Sequence, residues 1–233
     1  MWAQHALSLE DSFSMSVRLK SLALFGALFI AAPAAAAERE ISIYTGHQSL
    51  PHSDVDGSNP VVGPFTEFVK WEGKPFVMPP YYGARAMWWR ESGLGFGIEY
   101  THTKAYASAA NKTNLGFNRL EFSDGHNIIT ANVAKRWDNK WGKFTPYVGA
   151  GLGIAMPHVD ALDTAGNKTY GFQYAGPAIR LTAGAKYDIN ARWAAFADYQ
   201  FTASWNDVDL TGGGFLSTRL FTNAFNVGVS MKF

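Results

Sequence analysis

The sequence predicts an all-β fold: a transmembrane antiparallel up-and-down β-barrel of eight strands. Three observations predict it. Apolar residues alternate with small, polar or charged ones at period two along segment after segment, and the charged face could not pack a dry core. The links between these segments are alternately long and short. The chain opens with an export leader, yet beyond it there is no run of about 18 apolar residues, which removes a transmembrane helix.

The leader is expected to occupy 1–37. Arg18 and Lys20 precede LALFGALFIAAPAAAA, and Ala35 and Ala37 are the small residues of an A-x-A cleavage site, so the mature barrel with its long extracellular loops is expected over 38–233. Met15 is the expected start, because it gives a compact basic leader without Glu10 and Asp11. Cysteine is absent, which excludes disulfides, thiolate metal sites, iron–sulfur clusters and a cysteine nucleophile. Charged residues make up 17% of the chain, against about 25% in soluble domains, while aromatics reach 15%. A net charge of +1 and the lack of a basic arm give no reason to expect nucleic acid.

Taken in order, strands are expected at 39–48, 79–90, 94–104, 125–137, 144–157, 176–188, 192–205 and 218–233. The first leads into turn formers, and the second carries Arg85 on the face opposite lipid. In GLGFGIEYTHT, Leu94, Phe96, Ile98 and Tyr100 oppose Gly95, Gly97, Glu99 and Thr101. FTPYVGAGLGIAM sets Val148, Ala150, Leu152 and Ile154 against Tyr147, Gly149, Gly151 and Gly153. IRLTAGAKY sets Ile179, Leu181, Ala183 and Ala185 against Arg180, Thr182, Gly184 and Lys186, and Asp198 joins the charged set from the seventh strand. AFNVGVSMKF ends the series, with Phe225, Val227, Val229, Met231 and Phe233 on the lipid side.

The apolar face therefore looks outward at lipid and the charges look inward, the inverse of a soluble sandwich. RESG, DNKWGK and INA are the short turns expected on the periplasmic side, with both termini; the long loops face the exterior. Trp88, Trp89, Trp137, Trp141, Tyr187 and Trp193 lie beside those turns, as an interfacial belt requires. The final Phe233 resembles the C-terminal signal read by the barrel assembly machinery of Gram-negative outer membranes. A barrel of this size is filled by side chains, so Arg85, Glu99, Arg180 and Asp198 are expected to form a lumenal ion-pair network rather than a pore or a catalytic set.

The polar rim poses the functional question. His47 and His52 sit with Asp54 and Asp56 in YTGHQSLPHSDVDG, and His102, His126 and His158 fall at outer strand ends. One reading is a solvated loop surface, where such residues belong. The other is a site assembled around the rim: imidazole and carboxylate suit iron, copper or zinc, and His47, His52, His126, His158 and Asp54 are the ligand candidates. DVDG lacks the remaining oxygen ligands of a calcium loop, and no helix follows GAGLG or GLGFG to receive a phosphate. Lys70, Lys74, Lys104 and Arg119 line the outer half, either solvated or paired with lipid phosphates.

Several segments of the chain, YTGHQSLPHSDVDG, WEGKPFVMPPYYGARAMWW, GFGIEYTHTKAYA, LEFSDGHNIIT, FTPYVGAGLGIAMPHVD and NDVDLTGGG, resemble the outer-membrane lipid A oxidase family across the mature chain. The resemblance implies oxidation of the proximal glucosamine of lipid A to 2-aminogluconate, with O2 as acceptor, hydrogen peroxide as by-product, and lipid A or lipopolysaccharide among outer-membrane lipids as partner. It transfers no catalytic residue, so the site is read from chemistry. An anomeric oxidation needs a base, for which His47, His52 and His102 are candidates with Glu72 to orient one of them. It also needs a two-electron carrier, and a redox metal, iron or copper, or another cofactor is the economical expectation. Tyr100 and His102 share the lipid-side parity, where an acylated sugar could reach them; Tyr100, Lys70, Lys74, Lys104 and Arg119 are the substrate-binding candidates. Two alternatives stay open. A lipid A deacylase would use a Ser, His and acid set, and the chain has no histidine after His158. A structural or adhesive small barrel needs no site at all.

Overall fold

The computed structural model describes residues 37–138 and 140–233. The leader expected at 1–37 lies outside them except for Ala37. The elements are β1 (Glu38–Ser49), β2 (Ser53–Asn59), β3 (Gly63–Val69), β4 (Trp71–Glu72), β5 (Tyr82–Trp89), β6 (Leu94–Ala107), α1 (Ala109–Asn114), β7 (Phe117–Arg136), β8 (Phe144–Asp163), β9 (Lys168–Phe172), β10 (Gly176–Asp188), β11 (Trp193–Asp209) and β12 (Phe215–Lys232).

Eight of these form the ring β1-β5-β6-β7-β8-β10-β11-β12, every pair antiparallel. It closes where β12 returns to β1, from Glu40 opposite Lys232 to Ser49 opposite Asn223. Closure satisfies the backbone of every spanning strand, which hydrocarbon demands. Ile43, Ile98, Leu152, Leu181, Phe225 and Val227 stand exposed on the outside as a lipid-facing band, and exposed Trp137, Trp141, Tyr187 and Trp193 border it near the short turns. The fold is an eight-stranded transmembrane β-barrel.

Inside, the barrel has two storeys. At membrane level Arg85, Glu99, Arg180 and Asp198 meet in one buried network: Arg85 bridges Glu99 (2.9 Å) and Asp198 (3.1 Å), and Arg180 pairs with Glu99 (3.2 Å). Beyond the band the same inward parity carries Val55, Val69, Trp71, Ala105, Leu120, Phe122, Val159, Val208, Leu216 and Leu220, which form an apolar core. Water surrounds the wall there, so the ordinary rule of apolar inside and polar outside returns.

This second storey corrects the expected boundaries. The long-loop ends of 94–104, 125–137, 144–157, 192–205 and 218–233 are extended: β6 runs on to Ala107, β7 starts at Phe117, β8 reaches Asp163, β11 reaches Asp209 and β12 starts at Phe215. The first long loop holds β2, β3 and β4, and α1 follows β6, capped by Ser108, whose Oγ accepts from the Asn111 N–H. The expected start of 79–90 moves to Tyr82, since Pro79 and Pro80 have no N–H for the ladder. Trp89 does not belong to the interfacial belt: it is 2% exposed and points into the lumen, with Lys186 and Arg136 over its ring at 4.8 and 4.7 Å.

Close strand approach depends on inward glycines. A Cβ on Gly153 would lie 1.8 Å from the Ile129 carbonyl oxygen, whereas one on Gly149 would meet nothing nearer than 3.4 Å. Gly153→Ala is therefore expected to destabilise the barrel by about 1–3 kcal/mol while Gly149→Ala is tolerated. Urea unfolding midpoints of the two variants in micelles check the contrast.

Candidate site on the β7 bulge

Of the rim histidines, His102 and His158 flank one bulge on the outer surface of β6, β7 and β8, and Asp124 belongs to that bulge. From Glu121 to His126 the β7 strand takes five steps while β8 takes three, from Asp160 to Pro157, so β7 bulges over Ser123–Gly125. Gly125 has φ +122°, and a Cβ there would lie 2.7 Å from Cε1 and Nδ1 of His102. Glycine thus supplies both the bend and the room for an imidazole against the backbone.

His102 stacks on Tyr82 (5.0 Å, 17°) and is 3% exposed. Its parity is the expected outward one, but it is covered and does not face lipid openly. Its Nδ1 lies 3.1 Å from Asn127 Oδ1, which also accepts from the Tyr100 hydroxyl at 2.7 Å. An amide oxygen only accepts, so the proton sits on Nδ1 and the lone pair on Nε2, a buried atom with no partner.

Across the bulge, His158 packs edge-on to Tyr170 (4.5 Å) and Phe172 (4.8 Å) and holds Nδ1 3.6 Å from Asp124 Oδ2. The Tyr170 hydroxyl donates to the same carboxylate oxygen at 3.1 Å. That hydrogen bond and the Asp124 charge raise the pKa of the phenol, which keeps it a donor. Beside it Arg119 pairs with Asp160 at 2.9 Å, a bond that holds the guanidinium pKa above its ordinary value. His158 Nδ1 is buried and makes no hydrogen bond at that separation, so imidazole and carboxylate are neighbours under an exposed aromatic strip of Tyr170, Phe172 and Tyr174.

The other expected residues lie elsewhere. His47 is exposed on β1 near Phe76 (6.1 Å), and His52 is exposed near Phe68 (6.0 Å), with Asp54 close in sequence and lining the same cleft. His126 points into the lumen, where Nδ1 meets Thr103 Oγ1 (3.1 Å) and Nε2 meets Asn206 Oδ1 (2.9 Å). The wall of the barrel separates it from His158. Among the described residues no three His, Asp or Glu side chains are placed to hold a metal, so His47, His52, His126, His158 and Asp54 do not fit as a ligand set.

Glu72 pairs with Lys74 (2.9 Å) and orients no histidine. Lys104 is fully buried, its Nζ donating to the Val77 (2.7 Å) and Pro79 (3.1 Å) carbonyls, so it clasps the 77–79 segment and is not available to a phosphate. Lys70 remains exposed, and its backbone N–H binds Asn111 Oδ1 (2.9 Å). Tyr170 and Asn127 were not legible as site residues. The signal for the bulge was present in SDGH, where a glycine interrupts a strand pattern.

No family model matches the chain, and no curated protein sequence does. The solved structures similar to it include three small β-barrels. Neisserial surface protein A is 16% identical with a TM-score of 0.47, covering 84% of this chain and 97% of that one. The N-terminal β-barrel domain of Pseudomonas aeruginosa OprF is 12% identical with a TM-score of 0.38, covering 83% and 97%. Ail, the attachment invasion locus protein of Yersinia pestis, is 10% identical with a TM-score of 0.36, covering 81% and 97%.

Proposed function

We propose that the protein is an outer-membrane enzyme that oxidises the proximal glucosamine of lipid A, its loop end facing the exterior and both barrel termini the periplasm. The reading starts from the loop segments that resemble the lipid A oxidase family. The observation that carries it further is the His158–Asp124 pair on the outer wall, just beyond the lipid-facing band, where the sugar of an outer-leaflet glycolipid would meet the barrel. Insertion by the barrel assembly machinery and contact with lipopolysaccharide belong to the same reading.

A small approach of Asp124, 3.6 Å from Nδ1, would complete a hydrogen bond that fixes the proton there and leaves Nε2 of His158 as the base. It takes the proton of the free anomeric hydroxyl as C1 loses its hydrogen with the bonding pair, and the C1–O bond becomes a carbonyl. O2 receives the two electrons and two protons and leaves as hydrogen peroxide; water opens the lactone to the 2-aminogluconate. Arg119, close enough for its charge to act on the Tyr170 hydroxyl, is suited to a phosphate on the distal sugar. A bound redox group would carry the electron pair, and the described side chains form no site for a metal one.

Deacylation has less support, because the Ser123 hydroxyl donates to Glu121 (2.9 Å) and not to His158. A non-enzymatic surface or adhesive barrel is the second reading, favoured by the filled lumen and the absence of gathered metal donors among the described residues. Mass spectrometry of lipid A from expressing cells separates all three. A gain of one oxygen on the proximal sugar supports oxidation, loss of an acyl chain supports deacylation, and unchanged lipid A supports the surface barrel.

A further inference from the structure

The barrel wall is breached on the side away from the β7 bulge. β12 pairs with β1 as far as Asn223 and with β2 only from Thr218, so Arg219–Thr222 have no ladder partner on that side. Opposite them the chain passes through Leu50, Pro51 and His52, and proline there cannot donate to a ladder. A cleft of about 700 Å³ opens at this seam, within the usual range for small-molecule sites of about 300–1,000 Å³.

Phe68 and Trp205, both exposed, and half-buried Phe221 form its apolar walls. Asp54, Asp56 and Asp207 bring three carboxylates to it, Arg219 one guanidinium and His52 an imidazole. The floor is sealed: Ser53 and Thr218 hydroxyls meet at 3.2 Å, and Trp71 Nε1 donates to Ser53 at 2.9 Å. Four charged side chains, Asp54, Asp56, Asp207 and Arg219, lie among these aromatic faces, and hydrocarbon does not accommodate such charges, so the cleft belongs to the aqueous part of the wall.

We propose that this cleft binds a sugar unit bearing hydroxyl or amine groups and no acidic substituent. Aromatic faces pack against the C–H face of a pyranose, and carboxylates accept from hydroxyls and, more strongly, from ammonium. Three carboxylates against one guanidinium make the cleft net negative, which repels phosphate and sulfate. The cleft shares no residue with the His158–Asp124 pair, and the inference stands whether or not that pair is catalytic.

Calorimetry and tryptophan fluorescence on the folded protein in micelles test it with three probes: a chitosan oligosaccharide, a chitin oligosaccharide and a heparin-derived sulfated oligosaccharide. The first two are expected to bind, the amine-bearing one more tightly, and the sulfated one at least about tenfold more weakly. Trp205→Ala should weaken binding about tenfold or more, and Asp54→Asn/Asp207→Asn should remove the preference for amine, with heat-modifiable gel migration confirming that each variant folds. Competition by lipopolysaccharide in nanodiscs would assign the sugar to the membrane glycolipid; binding without competition would assign it to an external glycan. Equal or tighter binding of the sulfated probe, no binding of either chitin-type probe, or affinities unchanged by both variants overturns the proposal.

Discussion

Glu99→Gln is expected to cost the barrel about 3–5 kcal/mol, the range for breaking a buried ion pair by removing one partner. Glu99 is 3% exposed and receives Arg85 Nε at 2.9 Å, Arg180 Nη1 at 3.2 Å, Tyr44 Oη at 2.6 Å and Gln200 Nε2 at 2.7 Å. The amide keeps the shape and loses the charge, leaving two buried guanidiniums to share Asp198, which pairs with Arg85 and not with Arg180. Removing one cation as well, in Glu99→Gln/Arg180→Met, should restore part of the loss, because the remaining Arg85–Asp198 pair is balanced. Urea midpoints in micelles read both effects. A single variant as stable as wild type would mean that water in the lumen, not Glu99, solvates the guanidiniums.

His158→Ala is expected to lower lipid A oxidation by about 10²–10⁴-fold, the usual contribution of a positioned general base. Asp124→Asn should lower it less, since the imidazole stays and only its orientation and tautomer bias are lost. His47→Ala and His52→Ala should retain oxidation, because both residues lie away from the bulge. The readout is the fraction of lipid A carrying the extra oxygen at limiting expression, with gel migration confirming assembly. Full oxidation by His158→Ala would reject this base and leave the lipid A reading itself intact.

The membrane-level half of the fold was legible in the sequence because lipid outside and charge inside produce a period-two signal of unusual sign. Leu152 against Gly151 and Val227 against Asn226 show it, and the structure sets the first of each pair outward and the second inward. The loop-end half was illegible for the same reason. There Leu216 and Leu220 turn inward while Ser217 and Arg219 turn outward, so the alternation continues along one strand with its chemistry exchanged. Searching for lipid-facing strands discards such segments as loops. Trp89 misled similarly: a tryptophan beside a short turn fits a belt, but its parity is that of Arg85 and Met87. The site was half legible. Histidines at strand ends mark the rim, but the bulge decides which of them meet, and it depends on the backbone of Gly125.

The exchange of chemistry along a strand also works as a built-in depth gauge. On β12 it falls between Leu220 and Phe225, and on β8 between Leu152 and Val159. Because the chain contains no cysteine, single thiols introduced at outward positions 219, 221, 223 and 225 would report one after another where aqueous reagents stop reaching the wall.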